Sequence, residues 1–192
     1  MKNKHLDFWQ EDCTIDKFKS WCHKDTEWKN YVLQQILEVN STSVLDIGCG
    51  TAHMGEKLKS ISPKIKYVGT EITKKFVEYN KKNNFNCIEN DMVVLPFQDN
   101  EFDTTICLDV LNHQIEYENK ILEMLRVTKK KLIISFFKSW ERQNRIVEKH
   151  KNLIYHHFSL QNYETFLRKN NLQYKFLDLN LAVNPKILII EK

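Results

Sequence analysis

The stretch Val44-Leu45-Asp46-Ile47-Gly48-Cys49-Gly50-Thr51-Ala52-His53-Met54-Gly55 holds three of the only four glycines in a chain of 192 residues. Asn, Asp or Ser serve in ordinary loops. Glycines concentrated this way mark backbone that needs a positive φ, or that must lie against something with no side chain between. The four residues before the first glycine are apolar apart from Asp46 and read as a short strand. Residues from Met54 to Ser60 read as a helix. A strand, a glycine loop and a helix in that order form a nucleotide-binding arrangement, because a ligand can approach both the strand end and the helix N–H groups.

Alternation continues outward from this unit. Lys66 to Gly69 reads as a second strand and Thr73 to Lys82 as a helix, while Phe85 to Glu89 and Thr104 to Leu108 supply two more strands. Ile115 to Val127 has near-helical apolar spacing, and Lys131 to Phe137 reads as a buried fifth strand. Ser159 is a candidate N-cap for a last helix. Gln173 to Leu181 and Lys186 to Glu191, separated by Ala182-Val183-Asn184-Pro185, read as a closing hairpin. The expected fold is α/β, a Rossmann-like, seven-stranded, mostly parallel sheet ending in an antiparallel hairpin, with helices on both faces.

A single domain is expected over residues 1–192, with a helical cap to residue 42, a core over 43–137, a lid over 138–158, and the last helix and hairpin over 159–192. In the cap, Trp28, Val32, Ile36 and Val39 share one helical face, whereas Trp9 and Trp21 have no periodic partner and are candidates to roof the site. The lid segment carries five Lys/Arg against two Glu up to Lys151, among them Arg142, Arg145 and Lys149, and reads as a solvated helix face that could also meet an anionic group.

Composition sets further bounds. With 42% apolar residues, 11% aromatics and a net charge of +4, the chain has a globular composition and no dedicated basic face for nucleic acid. No run is apolar enough for a membrane span or a signal peptide, so a cytoplasmic location is expected. The five cysteines are odd in number and lack a C-x-x-C pair, which reads as reduced thiols.

The G-x-G-x-x-G dinucleotide fingerprint fails at its third position, where His53 stands, and Asp46 would repel a pyrophosphate. A donor with a sulfonium and an ammonium removes that objection. Asp46 to Thr51 resembles motif I of the class I S-adenosylmethionine-dependent methyltransferases. Three later segments also resemble that family in order: Tyr67-Val68-Gly69-Thr70-Glu71-Ile72, then Asp91 with Leu95-Pro96-Phe97-Gln98-Asp99, then Cys107-Leu108-Asp109-Val110-Leu111-Asn112-His113. The resemblance implies S-adenosyl-L-methionine as cofactor and S-adenosyl-L-homocysteine as product. It implies cofactor contacts from Asp46, Gly48, Gly50, Thr51, Glu71, Ile72, Asp91, Met92 and Leu108, with Asp46 and Leu108 at the methionine end, Glu71 on the ribose, and Asp91 and Met92 on the adenine. Ala52 stands where many members have glycine, which suits a negative φ.

Catalysis needs geometry above all, because an in-line displacement demands little acid–base apparatus. His113 and His157 are candidate bases, and Trp9, Tyr155 and His156 candidate substrate contacts. The fifth strand ends without an acid beside Asp109, so no metal is expected. The expected acceptor is a hydroxyl or amine of a small molecule such as a sugar or metabolite, since no amide–aromatic signature for nucleic-acid bases follows the fourth strand. The alternatives are a catalytically silent donor-binding partner protein, a nucleic-acid or protein methyltransferase, or a nicotinamide-dependent oxidoreductase. The oligomeric state is not readable from these residues.

Overall fold

The computed structural model describes residues 7–137, 143–148, 153–178 and 186–192. A π-helical turn, Phe8–Asp12, precedes α1 (Ile15–Cys22) and α2 (Glu27–Glu38). The alternating part comprises β1 (Ser43–Ile47), α3 (His53–Ile61), β2 (Lys66–Glu71), α4 (Lys74–Lys82), β3 (Cys87–Glu89) and β4 (Phe102–Leu108). A 3-10 turn, Leu111–His113, leads to α5 (Glu118–Val127) and β5 (Thr128–Phe136). Then come β6 (Arg145–Glu148), β7 (Ile154–His157), α6 (Leu160–Lys169), β8 (Gln173–Asp178) and β9 (Lys186–Glu191).

Seven strands form one sheet in the order β3-β2-β1-β4-β5-β9-β8. The first five are parallel, and β9 runs antiparallel to both β5 and β8. This is the expected mixed sheet. Its two faces follow from the period of two in each strand. Leu45, Ile47, Leu132, Ile134, Leu188 and Ile190 pack against α5 and α6 through Ile121, Leu125, Tyr163 and Leu167. Their neighbours Val44, Ile133, Ile187 and Ile189 turn the other way, onto α2 and α3 through Val32, Ile36, Met54 and Leu58. Trp28, as expected from its helical spacing, is in that second core and only 5% exposed. Ser159 caps α6 by accepting from Asn162 N–H.

The segment after β5 differs from expectation. In place of a solvated helix face, its described residues form an antiparallel hairpin pairing Arg145 with His157 and Glu148 with Ile154. Ile146, Val147, Ile154 and Tyr155 favour extended backbone, and that preference outweighs the helix-compatible charges around them. His156 and His157 precede the last helix as expected, and they lie in a strand. Trp140, Arg142, Lys149, Lys151 and the 182–185 turn fall outside the described residues. Among the described residues, no helix is long and apolar enough to cross a membrane.

Candidate active site

The strand order reverses between β1 and β4, and in such sheets ligands bind beyond the carboxyl ends of the strands at that point. A cavity of about 620 Å³ opens there, within the ordinary range for a small-molecule site. Gly48 forms part of its floor at φ +68°, a region favouring glycine, and a Cβ at that position would approach Val110 Cγ2 to 2.6 Å. Gly50 has φ +54°, and a Cβ on it would come within 2.3 Å of the Phe18 ring from α1. The loop is pinned because Gly48 and Cys49 N–H both donate to Thr70 C=O, at 2.8 and 3.0 Å. Ala52 has φ +54°, so the conformation glycine usually supplies here is imposed on a residue with a Cβ.

Glu71 ends β2 on the cavity wall, and its carboxylate is held rigidly. Oε2 accepts from Gly50 N–H at 3.0 Å and Oε1 from Thr73 N–H at 2.9 Å. Burial raises its pKa, a tendency those backbone donors oppose. Ile72 and Leu108 also line the cavity, as do Asn90, Asp91 and Met92. Asp91 Oδ1 accepts from Val93 N–H at 3.1 Å, forming a local turn. The Met92 N–H, expected to face an adenine ring, instead donates to Asn90 Oδ1 at 2.7 Å, with Met92 at φ +59°.

Three of the residues expected at the cofactor lie off the wall: Gly50 is covered by the Phe18 ring, and the other two are Asp46 and Thr51. Asp46 is 3% exposed and accepts from Tyr67 OH at 2.7 Å, and burial pushes its carboxyl up to about 7. Thr51 is buried, with its hydroxyl 2.6 Å from His23 Nε2. Both sit beneath the loop, since strand alternation turns Asp46 to Tyr67 while the Gly48 backbone meets the cavity.

The far side of the cavity is aromatic. His113 lies 5.1 Å from Trp9, 5.2 Å from Phe137 and 5.4 Å from Tyr155, centroid to centroid. Its Nδ1 is 2.8 Å from Ile154 C=O, and burial pushes its pKa down to about 4. Two other histidines do not reach the cavity. His156 is turned into the core against Phe158 at 4.1 Å, with Nδ1 2.9 Å from Gln114 C=O, and its neighbour His157 is also absent from the wall. Alternation along β7 turns His156 away from the face that carries Tyr155, and Tyr155 is the residue of this trio on the cavity wall.

Sequence reasoning missed several wall residues, among them Phe8, Phe18, Lys120 and Leu153. The aromatic density of the first twenty residues was a signal for the first two. Asp109, weighed only as a metal ligand, lines the cavity at φ +61°; it accepts from Ser135 Oγ at 2.6 Å and burial raises its pKa. Four wall carboxylates, those of Glu71, Asp91, Asp109 and Glu116, face one lysine, Lys120, which makes the cavity a better host for a cation than for a phosphate.

Residues 38–175 match a family model described as a methyltransferase domain. The chain is 31% identical over 109 residues to the demethylmenaquinone methyltransferase of Thermotoga maritima, covering 56% of this chain and 48% of that protein. It is 30% identical over 100 residues to the tRNA U34 carboxymethyltransferase of Campylobacter curvus, covering 47% of this chain and 33% of that protein. These matches span about half or less of the curated relatives' length. In fold, it is similar to the Burkholderia thailandensis 1,6-didemethyltoxoflavin-N1-methyltransferase with bound 1,6-didemethyltoxoflavin and S-adenosylhomocysteine. The TM-score is 0.70 at 16% identity, over 98% of this chain and 86% of that one.

Proposed function

Since the chain belongs to the methyltransferase-domain family, we propose that it transfers a methyl group from S-adenosyl-L-methionine to a hydroxyl or amine of a small molecule. The observation that carries this reading is the Glu71 carboxylate, fixed by Gly50 and Thr73 N–H at the edge of a cavity at the β1–β4 switch point. Glu71 is on the cavity wall, where its carboxylate is an acceptor within reach of a ribose hydroxyl. The excess of carboxylates on the wall suits a phosphate-free donor carrying two positive groups.

In this reading Gly48, Glu71, Ile72, Asp91, Met92 and Leu108 hold the donor along the ends of β1 to β4, and Gly50 acts indirectly, through its N–H on Glu71. Asp46 and Thr51 act from below by supporting the loop. When bound, the donor supplies an electrophilic methyl group on a sulfonium. The residues of the chain orient the acceptor, exclude water and leave the reacting centre undisturbed. Trp9, His113, Phe137 and Tyr155 would flank the acceptor with flat apolar surface, so an acceptor with a ring or apolar body fits better than a long polyanion. His113 would act as part of this wall, with Nε2 as its remaining polar atom.

Calorimetric titration with S-adenosylhomocysteine and, separately, NADH tests the cofactor. The product analogue should bind, and Glu71→Gln should weaken it about tenfold or more through loss of charge-assisted hydrogen bonds. NADH binding in its place rejects the reading. A radiolabelled methyl donor offered with flat hydroxyl and amine acceptors, and with tRNA, tests the acceptor class; label entering tRNA alone overturns the small-molecule assignment.

A further inference from the structure

A second constellation lies beneath the glycine loop. His23 caps the C-terminus of α1, and His53 and Glu56 share one face of the first turn of α3. The His23 and His53 rings lie 4.4 Å apart at 34°. Glu56 Oε2 is 3.6 Å from His23 Nδ1 and 3.7 Å from His53 Nδ1. One candidate ligand atom from each of the three residues falls within 4.8 Å of the others. We propose that His23, His53 and Glu56 bind one divalent transition-metal ion of the zinc type, which fastens the cap to the glycine loop.

Geometry argues for a metal over a simple ion-pair network. Around a tetrahedral ion with bonds of about 2.0–2.1 Å, adjacent ligand atoms stand roughly 3.3–3.4 Å apart. The two separations from Glu56, 3.6 and 3.7 Å, exceed that edge by a few tenths of an ångström, and the three ligand atoms together lie within 4.8 Å, a spread that side-chain rotations close. Both separations from Glu56 are too long for good hydrogen bonds. His53 makes none: both ring nitrogens are buried without a hydrogen-bond partner, and the closest carboxylate on its other side, Asp25, is 3.9 Å from Nε2. An imidazole removed from water with neither nitrogen satisfied is costly, and a metal ion at Nδ1 relieves it.

The surroundings fit as well. His23 Nε2 lies 2.6 Å from Thr51 Oγ1, so an Nε2–H donating there leaves the Nδ1 lone pair aimed toward Glu56, the outer-shell pattern of metal-bound histidine. Asp25 occupies the analogous place behind His53 and is paired with Lys57 at 2.5 Å. The second nearby cation, Lys29, spends its ammonium on Cys22 C=O and Lys24 C=O. Two imidazoles and one carboxylate select zinc-like ions over magnesium or calcium, and the part-exposed Glu56 leaves a fourth position for water. Thr51 belongs to the glycine loop and His23 to the cap, so the ion links the two segments that meet at Gly50 and Phe18, away from the reacting groups.

The test uses the full chain after dialysis against a chelator. Zinc titrated by calorimetry should bind with a stoichiometry near one and raise the unfolding temperature. Cobalt, as a spectroscopic stand-in, should give visible d–d bands with no thiolate charge-transfer band. His23→Gln, His53→Gln and Glu56→Gln, each checked for folding by circular dichroism, should weaken zinc at least about tenfold. Cys87→Ser should bind zinc unchanged. Absence of zinc binding by the unaltered chain overturns the assignment. So does binding that survives His53→Gln, or that carries a thiolate band from Cys49 and Cys87, whose sulfurs lie 3.6 Å apart.

Discussion

His113 shows how the residues next to a group decide its chemistry. In water an imidazole titrates near 6.5, but here burial pushes that value down to about 4, although Ile154 C=O favours the charged form. The unfolded chain therefore takes up the proton first as pH falls. Stability from His113 is complete above about 6.5 and is lost between there and about 4, on the order of 3 kcal/mol in all. Asp46, raised to about 7, acts in the opposite sense over an overlapping window, so the measurement is a difference. Denaturant unfolding of the unaltered chain and of His113→Asn between pH 4 and 7 should show a shallower acid-side loss in the variant. Equal slopes would mean that His113 is not shielded from water.

At the scale of elements, the glycine loop and α1 form one unit. Gly50 sits in the left-handed region with the Phe18 ring where its side chain would be. Gly50→Ala should combine a backbone cost of about 1–2 kcal/mol with displacement of Phe18. A lower melting temperature and about tenfold weaker S-adenosylhomocysteine binding are expected, with Phe18→Ala in the same chain restoring part of the loss. An undiminished melting temperature would show that α1 does not press on the loop.

The strands from β1 to β5 were legible because each is a short apolar run bounded by polar turns, and Gly48, Gly50 and Glu71 follow from their order. The β6–β7 hairpin was not, because its charges mask the alternation and its hydrogen bonds run to a distant turn, from Asn112 Nδ2 to His156 C=O and between His113 Nδ1 and Ile154 C=O. His23 beside His53 and the positive φ of Ala52 were illegible for a similar reason. Both are made by tertiary packing, which local residue patterns do not encode.

Taken whole, the molecule sets a cavity edged by carboxylates after β2, β3 and β4 and by aromatic rings from the N-terminal segment, the end of β5 and the β6–β7 hairpin. Binding that joins these parts should slow amide hydrogen exchange in Phe8–Asp12 and α1 as well as at the glycine loop. Protection confined to the loop would deny the cap a share in the site.

An imidazole whose pKa burial pushes down to about 4 is a weaker base near neutrality than a free one. In the proposed reading the acceptor brings its own lone pair ready for use. The acidity profile of turnover should then follow the guest, shifting when an amine is exchanged for a phenol of different basicity.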